Sequence, residues 1–304
     1  MFSFKELKAL YDKGVNISAY LRGEDSSLFN TPAIIEAAYD LQAGSYYDEM
    51  TNNSEIRARK ISRSKDVANY INNLCPSIDS FLKAGVGEAS TLLGMLYELP
   101  QHSKVFGFDI SWSRTAYARQ LINDFFPDRT GVELCTGELE HLPFPDSSVN
   151  VVHTSHALEP NGGREKYILQ ELYRVCSDYL VLIEPAYEFA NPDQQLRMRK
   201  HGYCTNLLSH ISDLNFNLVS HTLLEDSMNP DNPSMMITIK KTESTNSKAE
   251  FVCPLSYDPL VKYEDFLYCE ESMLAYPVLS GIPCLRTANS IVASKLLNFP
   301  EVQS

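Results

Sequence analysis

The sequence contains no apolar run that approaches the ~18 residues of a membrane-spanning helix. Its first residues, Met-Phe-Ser-Phe-Lys-Glu-Leu-Lys, also lack the apolar core of a secretion signal. These two absences predict a cytoplasmic protein that has no membrane partner.

Positive charge is scarce in this chain of 304 residues, which has 26 Lys and Arg against 39 Asp and Glu and a net charge of −13. Binding to a nucleic-acid backbone relies on clustered cations, so the balance argues against nucleic acid as the main partner. A small molecule is the favoured partner, and the sequence leaves open whether the chain forms a homo-oligomer.

Paired cysteine spacing is also absent. An odd number of scattered cysteines in a cytosolic chain predicts reduced thiols, most of them buried as small hydrophobic residues. The seven cysteines are Cys75, Cys135, Cys176, Cys204, Cys253, Cys269 and Cys284.

Short apolar runs alternate with helical stretches over residues 71–241, as in a parallel sheet with crossover helices. The turn-rich patch 228–233 separates the last two strands and predicts an antiparallel end hairpin. We therefore expect an α/β fold with a Rossmann-like seven-stranded sheet. Strands are predicted near 78–83, 104–109, 131–135, 149–154, 179–184, 216–222 and 234–240.

The remaining chain divides around this domain. Residues 1–70 predict a helical lid, and residues 242–250, with no large apolar side chain, predict a linker. Residues 251–304 predict a small α+β module that closes with an amphipathic helix at about 287–297.

The predicted lid contains a tyrosine-rich segment at residues 39–48. Thr31-Pro32 starts a helix before it, with Thr as the cap and Pro in the first turn. One interpretation is simple amphipathic packing against the next domain. The other is a lid in which Tyr46 and Tyr47 line a ligand pocket.

A glycine turn in Phe81–Glu88 connects the first predicted strand to a helix. Gly85 and Gly87 lack a Cβ, which suits both a tight turn and a ligand that lies against the backbone. The following helix start offers free N–H groups and a positive dipole end. By itself this pattern is typical of many nucleotide sites.

Asp109 follows Gly87 by 22 residues and ends the second predicted strand. An acidic residue at this place is positioned to accept both hydroxyls of a ribose. The alternative is a helix-capping role, because Asp109 also precedes a helix.

A third motif, Gly137-Glu-Leu-Glu-His-Leu-Pro-Phe-Pro-Asp-Ser-Ser, lies between the third and fourth predicted strands. With the glycine turn and the step Ser155-His-Ala-Leu-Glu159, the sequence resembles the class I S-adenosylmethionine-dependent methyltransferases, in particular their type 11-like branch. The resemblance covers residues 71–241.

The resemblance implies S-adenosyl-L-methionine as cofactor and assigns roles to individual residues. Glu138 would face the adenine amino group, and the Leu139 backbone would meet the ring nitrogens. Asp109 would hold the ribose. Ala84, Gly85 and Gly87 would approach the methionine part, and Ser155 begins the step where cofactor and acceptor meet.

The sequence departs from the family at three places. Lys83 stands where an acid usually holds the ammonium of the cofactor, so Glu88 is the candidate substitute. Ala89 replaces the third glycine, and Pro160 replaces a histidine.

Methyl transfer needs an aligned acceptor and, where required, a base. Candidate bases lie at the carboxyl ends of the fourth and fifth strands: His156, which is preferred, His153 and Glu184. After Glu184, residues 185–209 predict a long irregular insertion with a cationic cluster that would bind an acidic acceptor. Its candidate acceptor residues are Tyr187, Arg199, His201 and Tyr203. The alternative is an exposed charged helix.

Residues 251–285 resemble the small activator family that partners tRNA and release-factor methyltransferases, with Leu274-Ala-Tyr-Pro and Gly281-Ile-Pro intact. Ser256 and Ser272 replace two of the four zinc-binding cysteines of that family, which leaves Cys253 and Cys269. Two thiolates are too few for a closed zinc site, so we expect no metal. In the related complexes the activator covers an apolar surface of the catalytic subunit, often by sheet extension.

Three functions remain open from the sequence. The leading one is methyl transfer to an O or N atom of a small molecule that is acidic or sugar-derived. The second is a protein or tRNA methyltransferase with a built-in activator module. The third is a non-catalytic cofactor-binding scaffold.

Overall fold

The computed structural model describes residues 3–23, 29–225, 229–243 and 247–299. Parts of the predicted lid, hairpin turn, linker and closing module therefore lie outside the described residues. Within those ranges, no helix is both long and apolar enough to cross a membrane.

Among the described residues, five helices precede the sheet. The last of them ends at Leu74, so the boundary predicted at residue 70 falls inside a helix. The Thr31 side chain accepts a hydrogen bond from Ile34 N at 3.3 Å, so the predicted helix start at Thr31-Pro32 is confirmed. The helices are α1 Phe4–Tyr11, α2 Ile17–Arg22, α3 Pro32–Leu41, α4 Ser45–Asn52 and α5 Ser54–Leu74.

A seven-stranded sheet follows, and its order is β3-β2-β1-β4-β5-β7-β6. Strands β1 to β5 pair in parallel, whereas β7 pairs antiparallel with β5 and with β6. The predicted Rossmann-like sheet with an antiparallel end hairpin is confirmed. The strands are β1 Ser80–Ala84, β2 Lys104–Asp109, β3 Val132–Thr136, β4 Val149–Ser155, β5 Cys176–Pro185, β6 Asn217–Leu223 and β7 Ser234–Lys240.

The central strands are buried because helices cover both faces of the sheet. Side chains from alternate positions contribute to two different hydrophobic clusters: Leu82 packs in one and Phe81 in the other. All five residues of β1 are buried. The crossover helices are α6 Leu92–Leu96, α7 Trp112–Phe125 and α8 Glu165–Val175.

The segment after β5 is more regular than its sequence predicts. A single 3-10 turn, Tyr187–Phe189, leads into α9 Pro192–His201, and α10 Leu207–Asp213 follows. Asn191 and Gln194 form a capping box at the start of α9, and Gly202 ends it with φ of 69°. The prediction of a wholly irregular insertion is therefore wrong, because the ten-residue capped helix α9 lies in its middle.

The C-terminal residues form a small antiparallel sheet of short strands. The helix predicted at about 287–297 is wrong, because this stretch contains two 3-10 turns separated by a strand. The strands are β8 Val261–Lys262, β9 Phe266–Cys269, β10 Leu274–Leu279, β11 Ile282–Pro283 and β12 Ile291–Val292.

The C-terminal sheet lies against the free edge of β3. Cys284 forms a parallel bridge with Thr136, and Leu285 N donates to Thr136 O at 3.0 Å. In the segment that precedes this sheet, Ser247 N donates to Ser147 O, and Ala249 is buried. The described part of the predicted linker thus packs on the sheet domain.

Candidate active site

One cavity of about 500 Å³ lies at the carboxyl ends of the parallel strands, beneath α3 and α5. Its lining includes eleven of the residues predicted from the sequence. They are Tyr46, Gly85, Gly87, Glu88, Asp109, Glu138, Leu139, His153, Ser155, His156 and Tyr203.

The glycine turn is tight because another backbone segment approaches it. A Cβ on Gly85 would lie 2.4 Å from Ala157 Cβ, and Gly85 has φ of 66°. Gly87 has φ of 55°, and Ala89 adopts the same left-handed region with φ of 61°. The turn therefore needs Gly85 for the close approach of the segment after β4, and it lines the cavity as well.

Asp109 is 7% exposed and uses both carboxylate oxygens to fix backbone around it. Oδ2 accepts from Gly87 N at 2.9 Å, and Oδ1 accepts from Ser111 N at 3.0 Å. The N-cap of α7 is Ser111, whose side chain accepts from Arg114 N, so Asp109 is not the helix cap. Each carboxylate oxygen has a second lone pair, so the acid remains able to accept from a ligand hydroxyl.

Glu138 and Leu139 follow β3 and line the same cavity as Asp109. Glu138 Oε1 accepts from Thr287 N at 3.1 Å, and the Thr287 hydroxyl also donates to it. A residue of the C-terminal sheet thus touches the carboxylate that was predicted to face adenine.

Glu88 lies at the cavity, but its carboxylate already has partners. It accepts from Tyr47 N at 2.7 Å, which places it at the N-terminus of α4, and it lies 3.7 Å from Arg114 Nε. Burial raises its pKa against these favourable contacts. Its first role is to attach the N-terminal helices to the glycine turn. The proposal that it also holds the cofactor ammonium rests on its place in the lining.

Lys83 is buried beneath the turn rather than exposed to the cavity. Its Nζ has no hydrogen-bond partner among the described residues. Burial lowers its pKa to about 8, although Glu184 and Asp109 oppose the change. A buried lysine therefore stands where the resemblance implies an acid.

Two of the three predicted bases have other roles. His153 Nδ1 lies 2.8 Å from Val181 O, and burial together with Lys83 lowers its pKa to about 3. Glu184 is fully buried and does not line the cavity. Its two oxygens accept from Ala157 N at 3.0 Å and Glu159 N at 3.1 Å. Glu184 therefore shapes the loop after β4, and its prediction as a base lacks support.

His156 has the geometry of an oriented base. Its Nδ1 lies 2.5 Å from Glu159 Oε2, and its Nε2 lies 3.2 Å from Ser234 Oγ. Burial alone would lower its pKa, but the hydrogen bond and charge of Glu159 outweigh burial and raise it. Its φ of 55° is left-handed, which turns this residue out of the strand direction at the cavity.

Glu159 connects His156 to two further polar side chains. Asn232 Nδ2 donates to Glu159 Oε2 at 3.0 Å, and Tyr203 also forms a side-chain hydrogen bond with it. Burial would raise the pKa of Glu159, yet these bonds lower it. The carboxylate is thus held ionised beside the imidazole.

The tyrosine-rich segment supplies an aromatic wall on the N-terminal side. Tyr39 and Tyr46 line the cavity, and the Arg114 guanidinium lies 5.0 and 5.3 Å from their ring centroids. Tyr47 instead points its hydroxyl to Asp124 at 2.7 Å and is not part of the lining. The interpretation that these tyrosines line a ligand pocket is therefore supported by the position of Tyr46 and not by that of Tyr47.

The cationic cluster of residues 185–209 does not reach the cavity. Arg199 contacts the Tyr187 hydroxyl, and His201 stacks on Tyr203 with ring centroids 5.3 Å apart. Of the four predicted acceptor residues in this segment, only Tyr203 lines the cavity. The reason is that α9 is an outer helix with half of its side chains exposed and only Met198 buried. Ala84, predicted to approach the cofactor, is also buried outside the lining.

The cations that do line the cavity were missed by sequence reasoning. Lys60 pairs with Glu49, Arg164 with Glu140 at 2.8 Å and Arg114 with Glu88 at 3.7 Å. Arg63, on α5, is the fourth, and it has no carboxylate partner among the described residues. No local motif marks these positions, because α5 and α7 resemble ordinary amphipathic surface helices in the sequence.

Comparison with protein families gives one match. Residues 81–178 match the family model described as "Methyltransferase domain". The matched segment contains the glycine turn, Asp109, Glu138 and the His156–Glu159 pair. No curated protein matches the sequence.

Solved structures with a similar chain path are numerous, and three are typical. Magnesium protoporphyrin IX methyltransferase from Synechocystis PCC 6803, with bound S-adenosylhomocysteine, is 13% identical, covers 65% of this chain and 99% of its own, and gives a TM-score of 0.48. A putative methyltransferase from Bacillus halodurans is 15% identical, with coverages of 59% and 99% and a TM-score of 0.46. Geranyl diphosphate C-methyltransferase from Streptomyces coelicolor, with bound geranyl-S-thiolodiphosphate and S-adenosylhomocysteine, is 11% identical, with coverages of 58% and 76% and a TM-score of 0.47. These scores lie below 0.5, so no property of these proteins is transferred to this chain.

Proposed function

We propose that this chain, whose residues 81–178 match a methyltransferase domain, transfers a methyl group from S-adenosylmethionine to an O or N atom of a small anionic molecule. The observation that carries the proposal is a half-buried arginine, one of whose guanidinium nitrogens is buried without a partner within the described ranges, in the same cavity as an oriented histidine. Arg63 Nη1 is buried without a hydrogen-bond partner among the described residues, and His156 lines the same cavity.

The residues of the cavity fit the cofactor. Gly85 and Gly87 present backbone alone to the cavity, and Asp109 and Glu138 offer carboxylates for hydroxyl and amino donors. When bound, S-adenosylmethionine supplies a methyl group on a sulfonium, which is already an activated electrophile. The protein must then position the acceptor and remove its proton.

His156 is the proposed general base. Glu159 holds Nδ1–H of the ring, so Nε2 is the nitrogen that can take a proton from the acceptor. Ser234 Oγ, 3.2 Å from Nε2, occupies that direction and would donate to Nε2 until the acceptor replaces it. The charge of Glu159 then stabilises the imidazolium that forms.

Arg63 is the proposed anchor for the anionic group of the acceptor. A buried guanidinium nitrogen without a hydrogen-bond partner is costly, and a carboxylate or phosphate can supply a bidentate partner to Arg63. The other lining cations already have carboxylates within 4.0 Å, so they are less available. The anchor is thus proposed on α5 rather than in the segment after β5.

A small acceptor is supported by the size and cover of the cavity. About 500 Å³ is within the range of small-molecule sites and must hold cofactor and acceptor together. Helices α3 and α5 contribute Pro32, Ile35, Tyr39, Arg63 and Val67 to the lining, so the N-terminal helices form part of the wall.

Methyl transfer from labelled S-adenosylmethionine to paired acceptors tests this function. Each carboxylate or phosphate compound would be offered beside its amide or dephosphorylated analogue, and we expect label only in the anionic member. With an acceptor in hand, Arg63→Gln should raise its KM by about tenfold or more while S-adenosylhomocysteine affinity stays the same.

Arg59→Gln is the matched control, because Arg59 lies one turn earlier on α5 and outside the cavity lining. It should leave KM unchanged. Label incorporated into tRNA or protein in place of the small acids would contradict the proposal. So would an Arg63→Gln enzyme with an unchanged KM.

A further inference from the structure

The C-terminal sheet contributes a segment to the cofactor end of the cavity. Bonds at alternate positions align residues 285–287 with the end of β3: Leu285 N donates to Thr136 O at 3.0 Å, and Thr287 N donates to Glu138 Oε1 at 3.1 Å. The Thr287 hydroxyl donates to the same oxygen. Thr287 thus places two donors on one oxygen of a carboxylate that is 8% exposed.

Arg286 fixes this segment from the other side. It is 4% exposed and forms an ion pair with Glu36 on α3, the helix that brings Tyr39 to the cavity. Asp40 of the same helix accepts from Ser111 Oγ at 2.6 Å, just after Asp109. Residues 286 and 287 therefore lie between the N-terminal helices and the turn after β3, with bonds to both.

We propose that Thr287 is a positioning residue for adenine recognition: it orients the Glu138 carboxylate so that the cavity selects a purine with an exocyclic amino group. The inference rests on the proposed role of Glu138 in the cofactor site. Both Thr287 donors lie on Oε1, which leaves Oε2 to accept a hydrogen bond from the purine. Without Thr287 the side chain can rotate, and ordering it on binding costs free energy.

The orientation also has a consequence for selectivity. A carboxylate held at one place accepts from an amino group and repels a carbonyl oxygen at the same position. The expected readout is therefore the ratio of two affinities, because a loss of general stability would weaken both ligands together. S-adenosylhomocysteine and its inosine analogue, in which a carbonyl replaces the adenine amino group, form the required pair.

Titration calorimetry with both ligands tests the proposal on the full chain. The wild type should bind the adenosine compound at least about tenfold more tightly than the inosine compound. Thr287→Val keeps the side-chain shape and removes the hydroxyl donor, so the ratio should fall by about threefold to tenfold. Thr287→Ser should restore it.

Tyr268→Phe is the control variant, since the Tyr268 hydroxyl donates to Ala293 O within the C-terminal sheet, at 3.2 Å. It should leave the ratio at the wild-type value. A Thr287→Val protein with the wild-type ratio overturns the role of Thr287. A wild type that binds both ligands equally overturns the role of Glu138, and one that binds neither overturns the cofactor site itself.

Discussion

His156 Nδ1 lies 2.5 Å from Glu159 Oε2, and both residues belong to the five-residue step that begins with the last residue of β4. Glu184 accepts hydrogen bonds from the backbone N–H groups of Ala157 and Glu159. These bonds hold the segment against the end of β5 and so bring Glu159 close to His156. The imidazole and its carboxylate are therefore held by the same loop that closes over Gly85.

The pH dependence of the reaction should report this pair. A base must be neutral, and Glu159 raises the pKa of His156 above its usual 6.5, so kcat should rise with pH through that raised value. In Glu159→Gln, the carboxylate that raises the His156 pKa is gone, so burial should lower this pKa. The rising limb of the rate profile should then move to lower pH, and the maximum rate should fall. Rate profiles from pH 5 to 9 make the comparison.

His156→Asn should reduce kcat by about 10²-fold to 10⁴-fold, and asparagine tolerates the left-handed backbone at this position. The matched control is His102→Asn, because His102 is exposed and outside the cavity lining. An unshifted limb in Glu159→Gln, or full activity in His156→Asn, would refute the assignment of the base.

Asp109→Asn should weaken S-adenosylhomocysteine binding by about tenfold or more in calorimetry. The amide loses a charge and one acceptor oxygen, whereas Gly87 N and Ser111 N both need acceptors. Asp79→Asn, at an exposed carboxylate before β1, is the comparison variant and should bind like the wild type. Equal affinities in the two variants would remove Asp109 from the cofactor site.

Lys83→Met should stabilise the protein at neutral pH. The lysine pKa falls from 10.5 to about 8 in the fold, which corresponds to on the order of 3 kcal/mol of destabilisation. That cost is fully present below pH 8 and disappears as pH rises from about 8 to 10.5, because the unfolded chain then holds more protons than the folded one.

Denaturant unfolding at pH 7 and pH 10 measures the effect. The gain from Lys83→Met should be large at pH 7 and small at pH 10. Lys104→Met removes an exposed lysine at the start of β2 and should change little at either pH. A Lys83→Met protein that is less stable than the wild type at pH 7 would contradict this account.

The C-terminal sheet brings together the four positions at which the resemblance to the activator family implies zinc ligands. Cys253 Sγ lies 3.5 Å from Ser272 Oγ, and Ser256 Oγ lies 3.6 Å from Cys269 Sγ. No group of three metal-binding side chains occurs within the described ranges. The wild type should therefore purify with far less than one zinc per chain.

The double variant Ser256→Cys/Ser272→Cys should bind one zinc, because four thiolates complete a tetrahedral site. Metal analysis by mass spectrometry gives the stoichiometry, and Ser256→Cys alone should bind more weakly. Stoichiometric zinc in the wild type would show that the two remaining thiols suffice.

The sequence determined the class of fold, because strand and helix periods depend only on neighbours along the chain. The register of apolar runs placed six of the seven sheet strands within two residues of their bounds, and β5 begins three residues before its predicted start. The same local patterns singled out Gly85 and Asp109, and the family resemblance added Glu138; each lies at or just after the end of a strand, and parallel strands end at one edge. The prediction of a closing helix was wrong because Ile291 and Val292 pair with β10 as a short strand.

Tertiary structure decided which charged side chains meet in the cavity. Arg63 and Arg114 lie on α5 and α7, outside the motifs, and Glu138 contacts Thr287 across 149 residues. Charged side chains interact according to their distance in the folded chain, and no local sequence pattern predicts that distance. The sequence therefore located the cofactor edge of the sheet. The folded chain alone determined that Glu159 orients His156, that Lys83 is buried without a partner and that the C-terminal sheet reaches the predicted adenine position.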